Sequence, residues 1–164
     1  VALEKIGVKG VDIAGAGGTS WAAVEYYRAK EKESPIHEKL GETFWDWGIP
    51  TVPSIVEVSR STNLTVVASG GVRNGLHGAK AIALGADAFG LALPFLKSTS
   101  GGAPEVKHRL ETILMELRTA MFLTGSESVE SLQKAAAVIQ GQTRDWLLAR
   151  KFDPDEFAKE RGRR

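Results

Sequence analysis

The sequence contains no cysteine, only three histidines, no long apolar run and no excess of charge of either sign. The absence of cysteine excludes disulfides, zinc sites built on thiolates and cysteine nucleophiles. No stretch approaches the roughly 18 consecutive apolar residues that a membrane-spanning helix needs, and no signal-peptide pattern opens the chain. With 21 Lys and Arg against 20 Asp and Glu, no net charge directs the protein to nucleic acid or to an anionic membrane. We therefore expect a cytoplasmic protein whose partners are neither nucleic acid nor membrane.

The beginning of the chain has the pattern of a helix that is already ending. Residue 1 is Val rather than Met, and residues 1–7 mix apolar and charged positions before Gly7, which suits the position just after a helix terminus. The 164 residues are enough for one domain with a core of its own. We nevertheless expect a piece of a longer polypeptide, because the chain opens inside an element of secondary structure.

Short apolar runs closed by glycines alternate with helical patterns along the chain. The runs predict three buried strands, at residues 10–15, 64–71 and 86–92. Helical spacing predicts helices at residues 53–61, 76–84 and 104–123, a short helix opening at Pro94, and a mostly helical end at residues 131–151. Residues 25–42 are highly charged and predict a mobile loop with a helical piece, and residues 98–103 predict a glycine- and serine-rich hinge.

The alternation of strands and helices defines an α/β fold and favours a parallel sheet with helices over both faces. An open doubly wound sheet and a (β/α)8 barrel both fit the pattern. Three strands cannot close a barrel of eight, and they make a small open sheet. Either architecture is therefore incomplete, in agreement with the way the chain begins.

Two glycine-rich loops, residues 68–75 and 90–94, follow consecutive predicted strands and carry the clearest chemical signal. In α/β barrels, a phosphate is commonly held after the last two strands and at the start of a short extra helix. Glycine suits such a loop because the backbone must approach the anion with no Cβ in the way. Free N–H groups at a helix start then bind it. We predict that Gly70 and Gly71 allow the close approach.

The N–H donors of this predicted site are Val72, Arg73, Ala92 and Leu93, and the Arg73 guanidinium can add a charge-assisted contact. The alternative is that both loops are ordinary tight turns between strand and helix. Neither loop matches Gly-x-Gly-x-x-Gly, so a dinucleotide is not indicated. A third loop, residues 15–20, follows the first strand and offers the Thr19 hydroxyl and N–H on the same edge, unless it is only a flexible linker.

Taken together, these segments resemble type 2 isopentenyl-diphosphate isomerase, a flavin-dependent family. The resemblance covers about residues 8–125, in the order of the family. The loop Gly-Gly-Val-Arg is shared with other FMN barrels, whereas Gly-Gly-Thr-Ser-Trp and Met-Phe-Leu-Thr-Gly are more specific to the isomerase. The matching stretches are residues 11–21, 47–51, 68–75, 80–86 and 121–125.

The resemblance implies a partial TIM (β/α)8 barrel, made of about the last three βα units plus C-terminal helices. Residues 1–164 would be the C-terminal half of a single FMN-binding barrel domain that interconverts isopentenyl diphosphate and dimethylallyl diphosphate with reduced FMN, NADPH and magnesium. It implies flavin contacts at Thr19, Gly71, Val72, Arg73, Ala92 and Leu93. Many members have serine where this chain has Ala14, which departs from the pattern.

The family's substrate, magnesium and active-site residues come mainly from the other half of the barrel. No catalytic or metal residue is therefore assigned in this chain, and the isolated chain is expected to be inactive. Apolar positions in the helices after Pro104 exceed what one incomplete barrel can cover. They would pack either on the missing half or on a neighbouring subunit, and we expect a homo-oligomer.

Two other functions compete with the isomerase. One is another FMN-barrel oxidoreductase, either a 2-hydroxy-acid oxidase or an enzyme like inosinate dehydrogenase. No histidine precedes the Gly-Gly-Val-Arg loop as it does in the oxidases, and the chain has no cysteine to match the dehydrogenase nucleophile. The other is a non-catalytic phosphate-binding fragment. Asp12, inside the first strand, is expected to make a structural hydrogen bond.

Overall fold

The computed structural model describes residues 1–18 and 20–159. Short strands and helices alternate over the first hundred residues, and helices make up most of the remainder. The strands are β1 (Gly10–Ala14), β2 (Thr65–Ser69) and β3 (Ala88–Phe89). The helices are α1 (Ala2–Lys5), α2 (Trp21–Glu31), α3 (Pro35–Thr43), α4 (Thr51–Ser61), α5 (Gly75–Ala83), α6 (Leu93–Ser98), α7 (Gly102–Leu123), α8 (Val129–Leu132) and α9 (Gly141–Ala149), with short 3-10 turns at Thr99–Gly101 and Pro154–Ala158.

The three strands form one parallel sheet in the order β1-β2-β3. Ala14 pairs with Ser69 at the end of β1 and β2, and Ala68 pairs with Phe89 at the end of β3. Parallel pairing puts all three carboxyl ends at one edge of the sheet, so the loops that follow them lie side by side. The predicted third strand is longer than the observed one, since only Ala88 and Phe89 form ladder pairs.

Helices cover one face of this sheet. Ile13, Val66 and Ala68 point to that face and are buried against α4 and α5. The alternate positions of the strands, such as Asp12 and Ala88, are exposed. The prediction of helices over both faces is therefore wrong for the described residues, because the strands alternate between a buried and an uncovered side.

Residues 25–42 are not the predicted loop but a pair of packed helices, α2 and α3. Pro35 occupies the first turn of α3, where a missing N–H costs nothing. The two helices touch at Gly41, where a Cβ would lie 2.7 Å from the Cβ of Tyr26. The ring of Trp45 then packs edge-on against Tyr26 and Tyr27. Charge along this segment marks the exposed faces of two helices rather than disorder.

The carboxyl-terminal part differs from prediction in two places. The predicted hinge is a 3-10 turn that leads directly into α7, which begins at Gly102. Residues 133–140 lie outside the helices, so the segment 131–151 is only partly helical. Within the described ranges, no helix is both long and apolar enough to cross a bilayer.

Helix α9 is bonded to α4 through the Glu57 side chain. The Trp146 indole N–H donates to this carboxylate at 2.9 Å, and the Arg150 guanidinium donates to it at 3.1 Å. Because the hydrogen bond from Arg150 favours the ionised form, the pKa of Glu57 lies below its ordinary value. Leu147, fully buried on the same helix, adds the apolar part of this attachment.

Candidate phosphate-binding site

Three glycine-rich loops meet at the carboxyl edge of the sheet. The first follows β1 at residues 15–18, the second follows β2 at residues 70–74, and the third follows β3 at residues 90–92. Their meeting follows directly from the parallel register of the strands. The structure therefore brings together the loops that the sequence predicted to lie on one face.

The first and second loops touch backbone to backbone. A Cβ built on Gly71 would lie 2.1 Å from the carbonyl oxygen of Gly17, and one built on Gly18 would lie 2.4 Å from the Gly71 nitrogen. Gly71 also has a φ of +94°, a conformation that other residues rarely adopt. Glycine is thus required at position 71 by both space and backbone conformation, and at position 18 by space.

Thr51, at the start of α4, is a site residue that the sequence interpretation missed. Its hydroxyl donates to the Gly70 carbonyl at 2.6 Å, and its backbone lies against Gly15. Next to it, the Ala16 N–H donates to the Ile49 carbonyl at 2.8 Å. The signal was present in the sequence, because Thr51 closes one of the stretches that carry the family resemblance. Its side-chain contact spans 19 residues and could not be inferred from local pattern.

Backbone N–H groups of the second and third loops are available to a ligand. Those of Gly71, Val72, Leu91, Ala92 and Leu93 donate to no acceptor within residues 1–18 and 20–159. Val72 is 7% exposed, so its N–H has little access to bulk water. Unpaired N–H groups in partly buried backbone are costly, and a set of them around one point is typical of an anion site.

Of the four predicted donors, Val72 and Arg73 lie in the second loop rather than at a helix start. Val72 and Arg73 precede the N-cap of α5, Asn74, whose side chain accepts from the His77 N–H at 2.8 Å. The first N–H of the helix, that of Gly75, donates to the Glu116 carboxylate at 2.7 Å. The start of α5 is therefore partly capped by the protein's own side chains.

The other predicted residues are placed as follows. Ala92 caps the short helix α6 and Leu93 begins it. Asp12 accepts a hydrogen bond from the Ser69 hydroxyl at 2.5 Å, the structural role expected of it. Thr19 lies outside the described residues. Among the described residues, no three His, Asp or Glu side chains lie together as a metal site would need.

A parallel α/β sheet with glycine-rich loops and unpaired N–H groups at its carboxyl edge is the arrangement typical of phosphate-binding α/β proteins. The profile of FMN-dependent dehydrogenases matches residues 3–139. The chain therefore belongs to the FMN-dependent dehydrogenase family.

Curated relatives confirm the resemblance to isopentenyl-diphosphate isomerase. The isopentenyl-diphosphate delta-isomerase of Methanothermobacter thermautotrophicus is 48% identical over 159 residues, which are 97% of this chain and 44% of the relative. That of Pyrococcus furiosus is 47% identical over 99% of this chain and 41% of its own length. The chain thus spans about two fifths of the length of the curated relatives that it matches.

Solved structures of mandelate oxidase resemble the same part of the fold. One, with a substituted 2-hydroxy-methylphenylacetate, is 32% identical, with a TM-score of 0.51, over 54% of this chain and 28% of the oxidase. A variant with a monooxide FMN adduct gives the same identity and TM-score over 54% of this chain and 29% of its own.

Proposed function

We propose that this chain is the FMN-phosphate-binding part of an isopentenyl-diphosphate isomerase, which interconverts isopentenyl diphosphate and dimethylallyl diphosphate in isoprenoid biosynthesis. The observation that carries the proposal is the set of N–H groups on touching glycine loops that have no acceptor among the described residues, in a chain 48% identical to a named isomerase. The family profile supports FMN as the phosphate-bearing ligand.

The site fits the phosphate end of FMN in charge and in space. The N–H groups of Gly71 and Val72 follow β2 and those of Ala92 and Leu93 follow β3, without an acceptor among the described residues, and we assign all four to the phosphate and the ribityl chain. Arg73 supplies a cation in the second loop. Thr19, in the first loop, is assigned a further contact by the family resemblance alone.

We also propose that residues 1–164 are the C-terminal half of one FMN-binding barrel domain, a partial (β/α)8 barrel. Two features support this. The uncovered face of the sheet, with Asp12 and Ala88, suits the interior of a barrel. Beside β1, a cavity of about 960 Å³ is lined by Val11, Trp21 and Trp47, at the edge where a further parallel strand would pair.

Bound FMN, in its reduced form, would supply the proton added to and removed from the allylic substrate. The chain's own residues hold the phosphate and keep that end of the flavin in place. NADPH to reduce the flavin, and magnesium with its ligands outside this chain, follow from the isomerase resemblance. We therefore expect the isolated chain to bind flavin without turnover.

Exposed apolar residues support a homo-oligomer. On α7, Phe122 is 83% exposed and Leu123 is 76% exposed. Light scattering of the assembled enzyme tests this. A monomer at micromolar concentration would contradict it.

A chimera with the missing part of the relative tests the activity. The chain is fused behind the preceding region of the Methanothermobacter thermautotrophicus isomerase and assayed anaerobically with FMN, NADPH and magnesium. We expect conversion of isopentenyl diphosphate that disappears without reduced flavin, and none from the 164-residue chain alone. Flavin absorbance of the purified chimera serves as the folding control. Bound flavin without conversion would refute the isomerase.

The second candidate is a 2-hydroxy-acid oxidase, which the similarity to mandelate oxidase favours. It predicts flavin reduction by mandelate in the same chimera. The weaker identity, 32% against 48%, ranks it second.

A further inference from the structure

The loop that follows β2 makes few bonds of its own. Gly70 and Gly71, with φ of +73° and +94°, have no Cβ to restrict their backbone, so contacts with neighbouring elements must hold it in place. A loop of this kind binds an anion well only when its N–H groups are fixed before the anion arrives. Its amino-terminal end is held by the Thr51 hydroxyl. What holds its carboxyl-terminal end is the long helix α7.

Two side chains of α7 reach this end of the loop. The Glu116 carboxylate accepts the Gly75 N–H at 2.7 Å, and the Arg109 guanidinium donates to the Arg73 carbonyl at 3.2 Å. The backbones are also in close contact, since a Cβ on Gly75 would lie 2.2 Å from the Ile113 carbonyl oxygen. This packing fixes the distance between α7 and the loop.

Arg109 also lies beside α6. It lines a cavity of about 490 Å³ together with Pro94 and Ser98 of α6, the helix that the third loop opens. Glu116, in contrast, accepts from the first residue of α5.

We infer that Glu116 and Arg109 are positioning residues that hold the Gly71 and Val72 N–H groups toward the phosphate. The inference rests on the proposed function, because it concerns the same site. It makes an unusual claim about charge. A carboxylate near a phosphate repels it, so removing Glu116 should tighten FMN binding if charge alone mattered. If Glu116 instead positions the loop, its removal should weaken FMN binding.

The test compares FMN with riboflavin, which lacks the phosphate, by fluorescence titration of the 164-residue chain. In Glu116→Ala we expect the Kd for FMN to rise about tenfold, from the loss of a charged hydrogen bond, while that for riboflavin changes less than about twofold. Glu116→Gln keeps an acceptor and should restore most of the affinity. Arg109→Met should weaken FMN about threefold, and Arg109→Lys less.

Glu111 provides a matched control on the same helix. Within residues 1–18 and 20–159 its one polar partner is Lys107, in an exposed ion pair, so Glu111→Ala should leave both titrations unchanged. Unchanged or tighter FMN binding in Glu116→Ala would overturn the inference, as would a parallel loss for FMN and riboflavin, which would indicate general destabilisation. A wild-type chain that does not prefer FMN to riboflavin would overturn the proposed phosphate site itself, and the inference with it.

Discussion

The contact between the first two glycine loops can be measured with a pair of matched substitutions, Gly71→Ala and Gly7→Ala. The two residues have almost the same φ, +94° and +95°. Their surroundings differ completely. A Cβ at Gly7 meets nothing within 4 Å, whereas a Cβ at Gly71 meets the Gly17 carbonyl oxygen at 2.1 Å. Gly7→Ala therefore measures the backbone conformation alone, and Gly71→Ala adds the steric contact.

The expected losses of unfolding free energy follow from the backbone conformation and the steric contact. An L-residue in left-handed backbone costs about 1–2 kcal/mol, which is the whole effect expected at Gly7. At Gly71 the new atom overlaps backbone, which cannot rotate away as a side chain can. Forcing the loops apart should add about 1–3 kcal/mol, as overpacking does in cores. The free energy of unfolding should therefore fall by about 2–5 kcal/mol in Gly71→Ala.

Urea unfolding followed by circular dichroism gives both values from the same chain. FMN titration adds the functional consequence, since displacing Gly71 moves its free N–H, and Gly71→Ala should lose FMN affinity while Gly7→Ala keeps it. Equal destabilisation of the two variants, within about 0.5 kcal/mol, would show that the loops are not in backbone contact. Unchanged FMN affinity in Gly71→Ala would remove this loop from the binding site.

Two further predictions concern single side chains. Thr51→Val removes the hydroxyl that donates to the Gly70 carbonyl, so we expect a loss of about 1 kcal/mol in unfolding free energy and weaker FMN binding, with recovery in Thr51→Ser; equal titrations for all three chains would contradict this. Glu57→Gln weakens the hydrogen bonds from Trp146 and Arg150. Because Arg150 is exposed and its charge is screened, we expect a loss of about 1 kcal/mol in unfolding free energy, which lowers the Tm by about 2–4 °C. Because the pKa of Glu57 is lowered in the folded protein, this contribution is present above the ordinary carboxyl pKa and is lost as pH falls through the lowered value. Melting curves from neutral to acid pH should therefore converge for the two proteins, and a gap that persists in acid would contradict the ionic origin.

Much of the secondary structure was predictable because its signals are local. The apolar runs ending in glycine gave β1 and β2 to within a few residues, and helical spacing gave α7 almost complete. The prediction of a loop at residues 25–42 was wrong for a physical reason. Their helices are stabilised by each other, at the contact between Gly41 and Tyr26, and charge density alone does not distinguish such a pair from a loop.

In the candidate site, too, the local patterns were predictable and the long-range contacts were not. Glycine after a buried strand is a local pattern, and it located the loops that carry the free N–H groups of Gly71, Val72, Ala92 and Leu93. The side chains that hold the second loop are distant in sequence. Thr51 acts over 19 residues, Arg109 over 36 and Glu116 over 41, and each contact depends on how a helix packs.

The start of α5 shows why this difference matters for binding. From sequence, an Asn followed by Gly75 suggests a helix start with N–H groups free for an anion. In the structure Asn74 and Glu116 take two of those groups, which leaves fewer N–H groups at this helix start for an anion and a larger share to the loop before it. A carboxylate in that place is unfavourable for a phosphate by charge. Glu116 is consistent with phosphate binding only if it contributes more by fixing the loop than it costs by repulsion, and its substitution measures the sign of that balance.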